Sequence, residues 1–182
     1  MKHLLLTALL SAGMATLLSC NNGDYLADPQ GSIPTPPGLN GDVEQGVITC
    51  SVDSAHKYYR YGVWADMTPT YVLSGMIVVD QKPVEAITIT IANYIGTGSY
   101  TISDTSLGNG ITINRLDEDT VALATYVARD GDGYATITVK EAGGTIKGEF
   151  GGLLYRLDST GVTVDRKDSV FVRDGHFNLG KK

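Results

Sequence analysis

The sequence predicts an all-β protein, a single antiparallel β-sandwich or flattened barrel of about ten short strands after a cleaved leader and a Pro/Gly-rich tether. Three observations carry that prediction. The stretch from Tyr134 to Tyr155, YATITVKEAGGTIKGEFGGLLY, puts Ala135, Ile137 and Val139 on one side and Tyr134, Thr136 and Thr138 on the other, the period-two pattern of a strand with one buried face. A second run, Ile87 to Ala92, repeats the pattern with Ile87, Ile89 and Ile91 opposed to Thr88 and Thr90. The composition, Gly 22 and Tyr 10 with plentiful Thr, Val and Ile, suits short strands joined by tight turns, and no segment beyond the leader shows the apolar stripe of an amphipathic helix.

In chain order, Gly46 to Val52 reads as the first strand, and Asp53-Ser54 turns it into a second from Lys57 to Trp64. Tyr71 to Val79 is a third, closed by Asp80-Gln81-Lys82-Pro83, and the isoleucine strand follows from Ala86 to Ala92. Gly96 to Ile102 is short and centred on Tyr100; Asn109-Gly110 is a turn pair before Ile111 to Ile113, and Val121 to Ala128 comes next. In the hairpin from Tyr134, Glu141-Ala142-Gly143-Gly144 is expected to turn on glycines at positive φ, and the strand from Thr145 returns with Ile146, Gly148 and Phe150 on one face. A last pair is expected over Val162 to Asp165 and Ser169 to Phe177. Ile87, Ile89, Ile91, Ile137, Val139 and Phe150 form the expected core.

The amino terminus speaks to location. Met1-Lys2-His3 is a short positive region and Leu4 to Leu18 an apolar run, the build of an export signal. At roughly 15 residues the run is shorter than the ~20 needed to cross a bilayer as a helix. Leu17-Leu18-Ser19-Cys20 resembles the bacterial lipobox, which implies cleavage before Cys20, a diacylglyceryl group on its sulfur and acylation of the new amino terminus, palmitate being the usual kind of chain; the alternative is a plain secretory signal with a chance cysteine. Residues 1–19 are then the signal peptide, 20–43 the lipidated cysteine and tether, and 44–182 the β domain. The tether, rich in Pro, Gly and polar residues, is extended at on the order of 3 Å per residue. Resemblance to enterobacterial lipoproteins adds that Asn21, in place of aspartate, gives no inner-membrane retention signal, so the outer membrane is expected, with the periplasmic or cell-surface face left open. Two acyl chains or more hold a protein stably at a membrane where one does not.

Charge excludes some partners. A net charge of −6 is the wrong sign for a phosphate backbone, so no nucleic acid is expected. With Cys20 committed to lipid, Cys50 is left as a lone thiol, and Ile48-Thr49-Cys50-Ser51-Val52 places it inside a strand as a small hydrophobe.

Three short motifs recur in a fixed order: Gly98-Ser99-Tyr100, Gly148-Glu149-Phe150 and Gly175-His176-Phe177. With the segments ITITIANYIGTGSYTI, ATY, GYATITVKEAGGTIKGEFGGLLY and SVFVRDGHFNLG around them, they resemble a group of uncharacterised small β-sandwich lipoproteins of Bacteroidota-type bacteria, over Thr49 to Leu179. The resemblance implies a fold and a place, since that group has no established enzymatic activity. It departs at the first hairpin, where Asp53-Ser54-Ala55-His56 stands instead of an Asn-Gly turn.

Candidate sites are few. Asp130-Gly131-Asp132-Gly133 imitates the start of a calcium loop without its distal glutamate, and Asp-Gly is also a preferred hairpin turn, so no metal or cofactor is expected. His56 and His176 have no His-x-x-x-His, Cys-x-x-Cys or Gly-x-Ser-x-Gly about them, which sets a cryptic hydrolase behind a noncatalytic protein. The aromatic run Tyr58-Tyr59-Arg60-Tyr61-Gly62-Val63-Trp64 is the one speculative ligand site: strict alternation puts Tyr58, Arg60 and Trp64 on one face, where rings stack on a glycan or peptide and Arg60 gives direction, unless Trp64 fills the core. The reading from sequence is a lipid-anchored, monomeric envelope protein with a binding or structural module. The alternative is a fimbrial-type adhesin subunit that assembles by strand exchange.

Overall fold

The computed structural model describes residues 44–102, 108–129 and 134–180. The signal, Cys20 and the tether therefore lie outside the described residues, as does the Asp130 to Gly133 string. The rest is all-β: β1 (Val47–Val52), β2 (Ala55–Met67), β3 (Thr70–Val79), β4 (Lys82–Ile91), β5 (Gly98–Ile102), β6 (Gly110–Leu116), β7 (Ala122–Arg129), β8 (Tyr134–Glu141), β9 (Thr145–Leu157) and β10 (Val164–Gly180). Neighbours are antiparallel in the order β10-β1-β2-β3-β4-β6-β7-β9, and β9 pairs back onto β10, so eight strands close a ring. The predicted class is thus observed, in its flattened-barrel form. β7 and β8 share one edge of β9, β7 through Tyr126 opposite Arg156 and β8 from Tyr134 opposite Leu153 onward; β5 lies outside β8.

Two of the expected turns are two-residue hairpins. Asp53 and Ser54 have φ of 48° and 78°, Asp80 and Gln81 of 50° and 65°, the doubly left-handed form whose twist matches that of the strands. Asp53 completes its turn by accepting the Phe171 N–H at 2.9 Å, a cross-strand bond that replaces the expected Asn-Gly chemistry. Gly143 and Gly144, by contrast, are not at positive φ, so the glycine-driven turn expected there is not how that hairpin bends. The expected last pair of strands is also corrected: it is one strand, β10, bent by bulges between Asp165 and Ser169 and between Val172 and Gly175.

Alternation fills the interior. Ile48, Cys50, Tyr59, Leu73, Ile87, Ile89, Ile91, Ile137, Val139 and Phe150 are among the buried residues, which includes every side chain the isoleucine strand and the hairpin placed inside. β9 and β10 interlock there. Gly148 lies opposite Phe177 and Gly175 opposite Phe150. A Cβ on Gly148 would stand 2.4 Å from the Phe177 ring, and one on Gly175 would stand 2.8 Å from the Phe150 ring. Each glycine is the space its partner's ring occupies.

Where β4 ends and β5 begins, side chains carry the wall. The Asn109 Oδ1 accepts the Ala92 N–H at 2.8 Å while its Nδ2 donates to the Thr101 carbonyl at 3.3 Å, an amide standing in for a peptide of a missing strand. Trp64, Tyr71, Tyr94 and Tyr100 stack in succession across the same seam, with ring centroids 5.1, 3.9 and 5.9 Å apart.

Two expectations follow. Ile89→Ala, at a fully buried site, lowers unfolding free energy by about 2–5 kcal/mol in a urea series. Gly148→Ala costs about 1–3 kcal/mol or more by overpacking, because its methyl also meets the Thr138 carbonyl oxygen; an unchanged midpoint would mean that the interlock is not tight.

Candidate functional site

The interlock fixes register, and register builds a row. With Gly148 against Phe177 and Phe150 against Gly175, the residues between them, Glu149 and His176, stand opposite each other and point outward. The row extends both ways across the sheet: Ser99 pairs Thr138, Thr138 pairs Glu149, His176 pairs Thr49 and Thr49 pairs Tyr58. All three Gly-x-aromatic motifs therefore contribute their middle residue, Ser99, Glu149 and His176, to one outward line of six strands, about 24 Å long at ordinary strand spacing.

Polar contacts run along it. The Ser99 and Thr138 hydroxyls are 3.2 Å apart, the Lys140 ammonium is paired to Glu149 Oε1, and His176 Nδ1 lies 3.8 Å from the same oxygen. At its centre is an open depression of about 360 Å³ lined by Thr136, Thr138, Glu149, Asp174, Gly175 and His176 over the edge of Phe150. The depression follows from the sequence. The β10 bulge turns Asp174 into the left-handed region at φ 49°, and Asp174 and Gly175, which has no side chain, line the depression beside it.

The predicted aromatic site is half corrected. Tyr61 takes φ 55° and the β2 ladder skips between Arg60 and Val63, so a bulge inverts the alternation after Arg60. Its cause is close approach: Gly62 donates its N–H to the Gly46 carbonyl at 2.7 Å, and a Cβ there would lie 2.4 Å from Leu179. Trp64 consequently points inward, 5 % exposed, and does not share a face with Tyr58 and Arg60. Those two remain outside, with the Arg60 guanidinium 5.5 Å over the Tyr58 ring and the Tyr58 hydroxyl donating to Glu44 at 3.0 Å. Tyr58 thus ends the row described above, and Tyr61, 44 % exposed, lies beside it.

Cys50 and the histidines fall as follows. Cys50 is buried, and burial first, then the charge of Glu85, pushes its thiol up to about 12, far from a thiolate nucleophile. His56 is exposed on β2, two residues from Tyr58 and on the same outward face, beside the end of the row. Inside the barrel mouth, sequence reading missed a polar cluster: Glu85, 6 % exposed, accepts from the Tyr59 hydroxyl at 2.7 Å and pairs with Lys57 at 3.3 Å and Arg115 at 3.7 Å. A buried carboxylate is tolerated only when so paired. The signal was Glu85 itself, on the inward side of the isoleucine strand. Among the described residues no three His, Cys, Asp or Glu side chains gather as a metal site.

A hydrolytic relay needs its imidazole between hydroxyl and carboxylate. On the row His176 does stand between Glu149 and Thr49, but Thr49 is only 4 % exposed, so its hydroxyl is closed to a substrate, and the hydroxyl of half-exposed Thr138 lies beyond Glu149 instead. No protein family, curated protein or solved structure matches the chain. The outward row is therefore defined by its own geometry.

Two measurements check this assignment. Trp64→Ala costs about 3–5 kcal/mol of stability, as for a large aromatic removed from a core. The unfolded Cys50 thiol ionises near its ordinary 9.0 while the folded one keeps its proton to about 12, and burial also holds the Tyr59 proton. The unfolded chain then releases protons that the folded chain retains, so stability falls as pH rises from about 9 toward 12, and Cys50→Ala makes that decline shallower in urea titrations.

Proposed function

We propose that this chain is a lipid-anchored protein of the cell envelope, held at the outer membrane through Cys20, whose barrel is a noncatalytic module that binds its ligand on the outward face of β8, β9 and β10. The anchor rests on the resemblance of Leu17-Leu18-Ser19-Cys20 to a lipobox, and the resemblance of the three Gly-x-aromatic motifs to small envelope lipoproteins agrees with it. One observation carries the binding face: those motifs, apart in sequence, bring their middle residues Ser99, Glu149 and His176 into one outward row beside a depression. Core packing requires Gly148, Gly175 and the three aromatic residues of the motifs and leaves their middle positions unconstrained. Both edges of the last strand, β10, are paired, by β9 and β1, which favours this reading over a subunit that yields a terminal strand to its neighbour.

The anchor and the face are tested separately. Cys20→Ala moves the protein from the detergent phase to the aqueous phase, and mass spectrometry of the wild type finds acyl chains on residue 20; an unmodified Cys20 in membrane-bound protein would refute the anchor. For the face, modification of His176 by diethylpyrocarbonate slows when envelope polysaccharide is added. A His176 reactivity unchanged by every envelope fraction would rule the face out.

A further inference from the structure

The chemistry of the depression defines a class of ligand, an inference that rests on the binding face proposed above. We infer that the row takes a neutral, hydroxyl-rich chain, an oligosaccharide lying across the strands, with Glu149 as its central acceptor.

The lining decides between classes of ligand. A polyanion, whether nucleic acid or sulfated glycan, would face the carboxylates of Glu149 and Asp174, and the nearby Lys140 ammonium is already paired to Glu149. An apolar helix or acyl chain needs large exposed hydrophobic side chains, and the one ring in the lining, Phe150, is 5 % exposed. A peptide added as a further strand needs a free sheet edge, whereas the depression lies on the face of three strands whose central member, β9, is paired along both sides.

What the lining does offer suits hydroxyl groups. Carboxylate oxygens accept paired O–H donors. Thr136 and Thr138 both donate and accept, and the imidazole of His176 donates or accepts according to tautomer. Acceptors, donors and hydroxyls alternate at strand spacing along Ser99, Thr138, Glu149 and His176, so a chain with a polar group at each residue meets a partner at each strand. Gly175, in the lining, lets a ring approach the backbone, and Tyr58 at the far end of the row, with Arg60 over one of its faces, supplies an aromatic edge for a sugar lying that far.

The full chain in detergent is titrated with neutral hexasaccharides of glucose, mannose and galactose, with a heparin hexasaccharide and with an extended apolar decapeptide, by calorimetry. At least one neutral saccharide binds; Glu149→Ala weakens it by about tenfold or more, the loss expected for a hydrogen bond to a charged group, and Thr138→Val by about fivefold, as for a neutral one. Lys82→Ala, at the far turn, leaves the affinity unchanged. The half-exposed Thr138 position tolerates valine, so its effect is read on folded protein even where Glu149→Ala is unstable. Binding of heparin or of the peptide without any neutral saccharide overturns the inference, as does saccharide binding that survives both substitutions. Failure of every probe while envelope material still protects His176 rejects the saccharide and keeps the face; failure together with an unprotected His176 rejects both.

Discussion

Two glycines and two phenylalanines set the geometry of this protein. The β9–β10 pair is held in register because Phe177 fills the space over Gly148 and Phe150 fills the space over Gly175. Slippage of β10 by one residue would put Phe177 outside and bring His176 into the core, which side-chain period two makes prohibitive. A slip by two would set rings against side chains already in place. The same constraint therefore fixes the packing inside and the pairing outside: Glu149 stands opposite His176 because the rings on either side of each allow no other partner.

Interior and exterior then divide their roles. A barrel of eight strands has just enough room for side chains, and this one is filled by isoleucines, leucines, two phenylalanines and the Tyr59–Glu85 cluster. Lys57 and Arg115 neutralise Glu85 at one mouth, while Trp64, Tyr71, Tyr94 and Tyr100 stack across the seam near the other. The polar row lies on the outer surface, where Gly175, whose missing side chain makes room for the Phe150 ring, also lines the depression.

Much of this was legible in the chain. Period-two alternation located the isoleucine strand and the main hairpin and assigned their faces, because a strand with one buried side writes its burial directly into its sequence. The two-residue turns at Asp53-Ser54 and Asp80-Gln81 were placed as well. The failures share a physical cause: each depends on a contact distant in sequence. The bulge at Tyr61-Gly62 exists because Gly46 and Leu179 crowd that point, and nothing in Tyr58 to Trp64 records them; alternation carried through it sent Trp64 to the wrong face. Ring closure depends on β9 meeting β7, β8 and β10 at once, which no local window contains. Likewise β10 reads as two strands because its bulges interrupt alternation without interrupting pairing.

The candidate site was half legible for a related reason. The Gly-x-aromatic motifs were visible, but their glycines and rings drew attention as structural features, and the middle residues looked arbitrary. Only pairing shows that Ser99, Glu149 and His176 share a row, since residues of three different strands become neighbours through register and never through spacing. The same argument separates the two kinds of constraint acting on each motif. Substituting Gly148, Gly175 or any of the three aromatic residues disturbs the core, because a methyl or a missing ring changes a packed volume. The middle residue of each motif faces solvent and is free of that demand. The pairing of Glu149 with His176 on adjacent strands, with the Thr138 and Thr49 hydroxyls on either side, is then a property of the surface itself, and it is the feature on which the proposed binding face rests.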